Sequence, residues 1–325
     1  MRFLFVRLSS MGDVVLTTPL IRALAEHIPN AEIHFLTRAS YLPLVAHHPL
    51  LAGVHSWPPS EEVRQQTWEG VIDLHKNLRT LSLRWKLRYR KFTTFSKENW
   101  QKWWMVRKRL PISLSHVVTR YSAALEPWGI SPEKVGPAEV HVPPFIQERV
   151  RRELHEAAQE GEGWLAVGLG GTYDTKKWPI AYYKELLTQL GWPIILLGGA
   201  MERAAAETLA QTLPGPVIVG AGRYSLLETA AAIREAAILL SHDTGTAHLG
   251  AAVGTPTVVL WGNTVPELGM TPWQVQHLNI EARHLSCRPC SKLGFASCPR
   301  GHHDCMRALT PDYVEMQLRA FRGKS

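Results

Sequence analysis

Short apolar runs alternate with helical patterns along most of the chain. In the first half, Arg2–Leu8 reads as a buried strand. Val14–His27 reads as one helix, with Leu16, Leu20, Ile21 and Leu24 at helical spacing. Ala31–Leu36 is a strand after the Pro29-Asn30 turn, a helical stretch follows near Tyr41–Ala46, and Gly53–Ser56 and Val71–Leu74 are short strand candidates. Val117–Leu125 reads as a helix, and Glu139–Val142 as an extended piece before Pro143-Pro144.

A second series begins after a charged stretch, Gln147–Glu162, which reads as a linker helix. Strands are expected at Leu165–Leu169, Pro193–Leu197, Pro216–Val219, Ile238–Leu240 and Thr257–Trp261, with helices at Pro179–Gln189, Glu202–Gln211 and Thr246–Val253 between them. Ser225 and Glu228 have capping-box spacing for a further helix through Arg234. Asp312–Phe321 suits a final helix. Two such series predict an α/β protein with two doubly wound parallel sheets, and ligands in such sheets bind beyond the carboxyl ends of the strands. The boundaries this suggests are residues 1–150, 151–309 and a C-terminal helix at 310–325.

Composition narrows the class. With 45% hydrophobic and 20% charged residues in 325, the chain is globular and long enough for two cores. No apolar run approaches the roughly 20 residues of a spanning helix. The first strand is too short for a signal-peptide core, so a cytoplasmic enzyme is expected. The net charge of +8 is unevenly placed: Arg79–Arg109 holds eleven Lys or Arg residues and one acidic residue, Glu98, with Trp85, Trp100, Trp103 and Trp104 among them. Such a segment suits an anionic membrane surface, an acidic substrate or nucleic acid, or is simply a solvated basic face. Nucleic acid is disfavoured, because no nucleic-acid motif accompanies the charge.

Three places could carry chemistry. The turn Ser9-Ser10-Met11-Gly12-Asp13 sets a lone carboxylate where the first strand meets the first helix, as a helix cap or as a working base. The stretch GLGGTYDTKKWP, residues 168–179, pairs glycines with Lys176 and Lys177 at the next helix start, where free amides favour phosphate. It is neither a GxGxxG nor a Walker loop, and also fits an ordinary turn with surface lysines. In SHDTGTAHLGAAVGTP, residues 241–256, a strand delivers Asp243, Thr244 and Gly245 to a helix that carries Thr246 and His248 in its first turn. Amides and hydroxyls there could hold a diphosphate and Asp243 a sugar hydroxyl, or Asp243 is an N-cap and His248 a core histidine. His242 reads as structural. Cys287, Cys290, Cys298 and Cys305, with His302 and His303 nearby, could hold structural zinc, but the spacing matches no common ribbon, and buried free thiols or redox-sensitive pairs are preferred.

These motifs are not independent. RLSSMGDVVLTTPLIRAL, DLHKNLRT, FSKEN, DTKKWP, HDTGTAHLGAA and the tail CRPCSKLGFASCPRGHHDCM together resemble glycosyltransferase family 9, the ADP-heptose:lipopolysaccharide heptosyltransferases, over nearly the whole chain and in the family's order. The cysteine-rich tail is most similar to the branch that adds a second heptose. The resemblance implies a GT-B architecture of two Rossmann-like domains facing across a cleft, with acceptor on the N-terminal domain and nucleotide sugar on the C-terminal one. It also implies anomeric inversion with no required cofactor or metal beyond the donor ADP-heptose.

On the matching positions, Asp13 falls on the catalytic aspartate and Lys176 on the lysine that holds the donor phosphate. Thr172, Lys177, Glu202, Asp243, Thr244, Gly245, Thr246 and His248 fall to the donor, with Glu202 on the nucleotide ribose. Ser10, Gly12, Arg79, Lys97 and Arg120 are expected to contact the anionic lipopolysaccharide core acceptor. Such an enzyme would work peripherally at the cytoplasmic face of the inner membrane. The helix start near Asp13 is expected to depress its pKa and keep it ionised. Another GT-B nucleotide-sugar enzyme, an epimerase or a transferase with a different donor, is the alternative, and a non-enzymatic basic nucleic-acid-binding protein a more distant one.

Overall fold

In a computed structural model, residues 1–110, 112–132, 135–158 and 163–323 are described. The chain divides into two compact units, residues 1–98 with 115–141, and 99–114 with 142–325. Each is a doubly wound parallel sheet.

In the first unit, β1 (Arg2–Val6), β2 (Glu32–Thr37), β3 (Leu51–Ser56), β4 (Thr67–Asp73) and β5 (Arg88–Thr94) lie in the order β3-β2-β1-β4-β5, all parallel. The order reverses between β1 and β4. There the connections leave to opposite faces and open a crevice at the strands' carboxyl ends. Leu4, Val6, Leu36, Trp68 and Val71 form one core layer with Leu83 and Leu87. At Gly70 the Trp128 ring comes so close that an added Cβ would stand 2.4 Å from it.

The helix expected over Val14–His27 is two helices, Met11–Val15 and Thr18–His27. The sequence explains the break. Pro19 has no N–H for the Val15 carbonyl, and that carbonyl instead accepts from Thr18 Oγ1 at 2.8 Å, while Thr17 Oγ1 donates to Val14 at 2.6 Å. The basic segment is built into the fold, and most of its Lys and Arg residues are exposed, as a solvated basic face would have them. Arg88–Thr94 is the edge strand β5, where charged side chains are well tolerated. Asn99–Lys108 is a helix of the second unit, anchored by Met105 against Leu114, Val265 and Leu268.

The second unit contains β6 (Leu165–Gly168), β7 (Ile194–Leu197), β8 (Val217–Val219), β9 (Ile238–His242), β10 (Thr257–Trp261) and β11 (His277–Glu281), in the order β11-β10-β9-β6-β7-β8. Its own strands thus repeat the same winding, with the reversal between β6 and β9. The Ser225–Glu228 capping box is present, Ser225 N–H donating to Glu228 at 2.8 Å and Glu228 N–H to Ser225 Oγ at 3.3 Å.

Two expectations change here. The stretch expected as a linker helix over Gln147–Glu162 is the helix Pro144–Ala157, and its last four residues, 159–162, lie outside the described residues. This helix is part of the second unit's body: Ile146, Val150 and Leu154 are buried, and Arg149 and Arg151 pair with Glu228 and Glu235. A boundary at residue 150 would fall inside it. The C-terminal helix, Pro311–Arg322, is likewise no separate body, since Val314, Leu318 and Phe321 join Leu186, Leu187 and Leu190 in the second unit's core.

Candidate active site

Asp13 sits at the third position of the short helix that follows β1, at the first unit's switch point. Its Oδ2 accepts from Ser10 N–H at 3.1 Å and from Ser10 Oγ at 2.8 Å, so the carboxylate does cap the helix. Its Oδ1 meets Arg7 at 2.7 Å and accepts from the Tyr121 hydroxyl at 3.2 Å. Arg7 leaves the end of β1, donates to the carbonyls of Ser9 and Leu74, and lies over the Tyr121 ring at 5.5 Å.

Burial pushes the Asp13 pKa up. The Arg7 charge and the Ser10 hydrogen bonds outweigh that and hold it at about 2. The expected ionisation is present, but a specific guanidinium and a local cap supply it. The side chain keeps 21% of its surface open, so the carboxylate is paired without being sealed.

Other groups gather near it. Arg120 is buried, with its guanidinium 3.7 Å from Glu98 and donating to the Lys97 carbonyl at 3.5 Å. His75, just beyond β4, is pushed down to about 4 by burial and by the charges of Arg7 and Lys97, and is neutral at pH 7. Gly12 is buried and Ser10 exposed. Arg79 is exposed on the helix Leu78–Leu81, and among the described residues no hydrogen bond or ion pair joins it to Asp13. Sequence reasoning missed Arg7, Tyr121 and His75. A guanidinium ending an apolar strand was the one available signal.

The second group lies at the carboxyl ends of β9, β6 and β7, neighbours in the second sheet and the two sides of its switch point. Lys176 ends a short turn after β6, and its Nζ donates to Asp243 Oδ2 at 2.6 Å and to the Asp243 carbonyl at 2.8 Å. Thr264 Oγ1 also donates to Asp243 Oδ2, at 2.7 Å. Asp243 is therefore not the N-cap. Thr244 holds that position, its N–H donating to the His242 carbonyl at 2.8 Å, and the half-buried residues Gly245 and Thr246 open the helix Gly245–Val253.

After β7, Glu202 accepts from Gly199 N–H at 3.0 Å and stands 3.6 Å from Lys177, which also pairs with Asp174. Thr172 is exposed in the same turn as Lys176, and His248 is buried in the helix that Gly245 begins. His242 is structural as expected: fully buried, it takes the Trp178 N–H at 2.9 Å and meets the Tyr183 hydroxyl at 2.8 Å, and burial lowers its pKa to about 4.

Two lysines, a helix start and two carboxylates around one crevice suit a nucleoside diphosphate: cations and amides for phosphates, carboxylates for hydroxyls. The cysteines are less organised. Cys287 and Cys305 are buried, Cys290 and Cys298 half-buried, and all four are free. Among the described residues, the one set of side chains close enough to share a metal is His48, Glu139 and His141. Glu139 there already holds Arg22 through two bonds of 2.9 and 2.7 Å.

Comparison with known proteins covers the whole chain. The family model for glycosyltransferase family 9 (heptosyltransferase) matches residues 60–296. Lipopolysaccharide heptosyltransferase 1 of Pseudomonas aeruginosa is 27% identical, covering 98% of each chain. Lipopolysaccharide heptosyltransferase 3 of Escherichia coli is 24% identical over 81% of this chain and 83% of its own. Among solved structures, a family 9 glycosyltransferase from Veillonella parvula superposes with a TM-score of 0.81 at 18% identity, covering 100% and 98% of the two chains. Escherichia coli ADP-heptose lps heptosyltransferase II superposes with a TM-score of 0.75 at 18% identity, covering 100% and 99%. The expected fold, two parallel Rossmann-like sheets of the GT-B class, is the one found.

Proposed function

Since the chain belongs to glycosyltransferase family 9, the heptosyltransferases, we propose that it moves a heptose from ADP-heptose to the inner core of lipopolysaccharide, with Asp13 as the base. The chain is a glycosyltransferase, and heptose transfer in lipopolysaccharide core synthesis is its reaction.

In the proposed step, an acceptor hydroxyl oxygen attacks the anomeric carbon and its proton passes to Asp13. The bond from that carbon to the β-phosphate oxygen breaks, and the electron pair leaves on ADP. A single displacement inverts the anomeric centre. A hydroxyl is a poor nucleophile at neutral pH, so a base within hydrogen-bond reach lowers the barrier as the bond forms. The departing phosphate oxygen needs charge stabilisation more than a proton. Lys176 and the amides of Gly245 and Thr246 supply it, with the Thr244 hydroxyl beside them. Lys176 would exchange its bond to Asp243 for one to phosphate, and the freed Asp243 would accept from the sugar. Glu202 would take the ribose hydroxyls, with Lys177 and Thr172 beside the phosphates and His248 supporting the turn from within the helix. Ser10, Gly12, Lys97 and Arg120 would meet the anionic acceptor around Asp13, with Arg79 further out. Together the lysines and amides supply the positive charge that the departing diphosphate needs.

The observation that supports this best is the placement of Asp13: an ionised carboxylate, oriented by Arg7 and Ser10, and still partly open at a switch point. Because the acceptor is a lipid, we place the enzyme peripherally at the cytoplasmic face of the inner membrane. No helix among the described residues is long and apolar enough to cross it.

The test is transfer by the purified chain from ADP-heptose to a heptose-deficient core acceptor, with UDP- and GDP-sugars in parallel and products read by mass spectrometry. One added heptose from the ADP donor alone is expected, and an acceptor series reads which heptose is added. Acceptor-independent ADP release, or preference for another nucleotide, overturns the reading.

A further inference from the structure

We propose that the outer face of the helix Asn99–Lys108 docks on an anionic lipid bilayer. Trp100, Trp103 and Trp104 are 76%, 47% and 40% exposed, three large indoles on a ten-residue helix. Their spacing of i, i+3 and i+4 puts them on one face, which Arg107 and Lys108 continue into the next turn. Met105, 2% exposed, pins the opposite side to Leu114, Val265 and Leu268. The face is thus carried by an anchored helix.

An indole has an apolar body and one N–H, and such side chains settle at the boundary between headgroups and acyl chains. The charge is complementary to an anionic surface. From Asn99 to Leu110 there are four basic residues, Lys102, Arg107, Lys108 and Arg109, and no acidic one. Ten residues lie on a bilayer and do not span it. Nucleic acid fits less well, since the indoles form one edge-to-face cluster, Trp100 with Trp103 at 6.3 Å and Trp103 with Trp104 at 5.1 Å, in place of separate parallel platforms for successive bases. A second copy would bring like charges together. The proposal rests on the transferase reading only for its purpose, which is to hold the enzyme where a lipid-linked acceptor lies.

Sedimentation of the full chain with vesicles, in the absence of acceptor, tests it. Phosphatidylglycerol-containing vesicles should retain the protein and blue-shift its tryptophan emission, whereas pure phosphatidylcholine should not. The variant Trp100→Ser/Trp103→Ser/Trp104→Ser should lose about tenfold or more in partitioning, together with the blue shift. Arg107→Gln/Lys108→Gln should lose the preference for anionic lipid. Both variants should keep the wild-type unfolding midpoint and transfer to a soluble, deacylated acceptor.

Vesicle binding by the triple variant equal to wild type overturns the proposal. So does loss of transfer to the soluble acceptor, since the face would then serve the reaction directly, and so does retention of a DNA duplex in place of vesicles. A wild type that binds vesicles but transfers nothing to any acceptor sinks the transferase reading and leaves the docking face standing.

Discussion

Arg7 and Asp13 are 2.7 Å apart, with side chains 10% and 21% exposed, and each explains the other's tolerance of that place. Arg7→Met would leave the carboxylate with its burial and without its main counter-charge. The expected result is a loss of about 3 kcal/mol in stability and a higher Asp13 pKa. The acid limb of the transfer rate, out of reach for the wild type with its pKa of about 2, should then move up into the measurable range. An unchanged pH–rate profile would separate Arg7 from the base. The pair in the second unit allows a sharper test. Lys176→Ala leaves Asp243, 8% exposed, with Thr264 as its remaining side-chain donor, and should cost about 3–5 kcal/mol. Adding Asp243→Asn should return most of the stability but none of the transfer rate, as read by thermal unfolding beside kcat/KM for the donor. Recovery of both would make Lys176 structural only. The primary groups were legible because Asp13, Lys176 and Asp243 stand in polar turns just after apolar strands. Their partners were not: Tyr121 comes from 108 residues away and Thr264 from 21, and no local pattern marks a hydroxyl for a distant carboxylate.

The helix Gly245–Val253, which begins the donor turn, lies against β9 and β10 because residue 250 is glycine. A Cβ there would stand 2.5 Å from Leu239 Cδ2 and 2.8 Å from Thr257 Oγ1. Gly250→Ala should therefore cost about 1–3 kcal/mol and shift the amides of Gly245 and Thr246 outward, raising the donor KM more than it lowers kcat. Unfolding and steady-state kinetics on one preparation check both parts. Elements with an apolar core face were legible in the sequence, among them the inner strands and the capped helix after Ser225. Two of the four edge strands, β5 and β11, were not. Their sequences, RYRKFTT and HLNIE, are broken up by polar and charged residues, as edges allow, and lack a continuous apolar run. The broken first helix was missed for another reason: its apolar spacing runs through the break, and the Pro19 ring and two threonine hydroxyls decide against it.

Across the whole molecule, each unit holds one histidine that burial drives down to about 4, His75 in the first and His242 in the second. A folded-state pKa below the ordinary 6.5 means the unfolded chain binds the proton more readily. Stability is then full above about pH 6.5 and declines as the pH falls toward 4. Asp13, held at about 2, adds a later loss below about pH 4. Both units should lose stability in the same window, and an unfolding midpoint that stays level from pH 7 to 4.5 would contradict this. The chemistry, by contrast, is divided. The proposed base belongs to the first unit and the phosphate-holding residues to the second. Asp13→Asn should therefore lower transfer about a thousandfold while calorimetric ADP binding stays within about twofold of wild type. Lys176→Ala, acting on the donor, should weaken both. Weakened ADP binding in the Asp13 variant would mean that this carboxylate acts on the nucleotide, and the acceptor hydroxyl would then need another base.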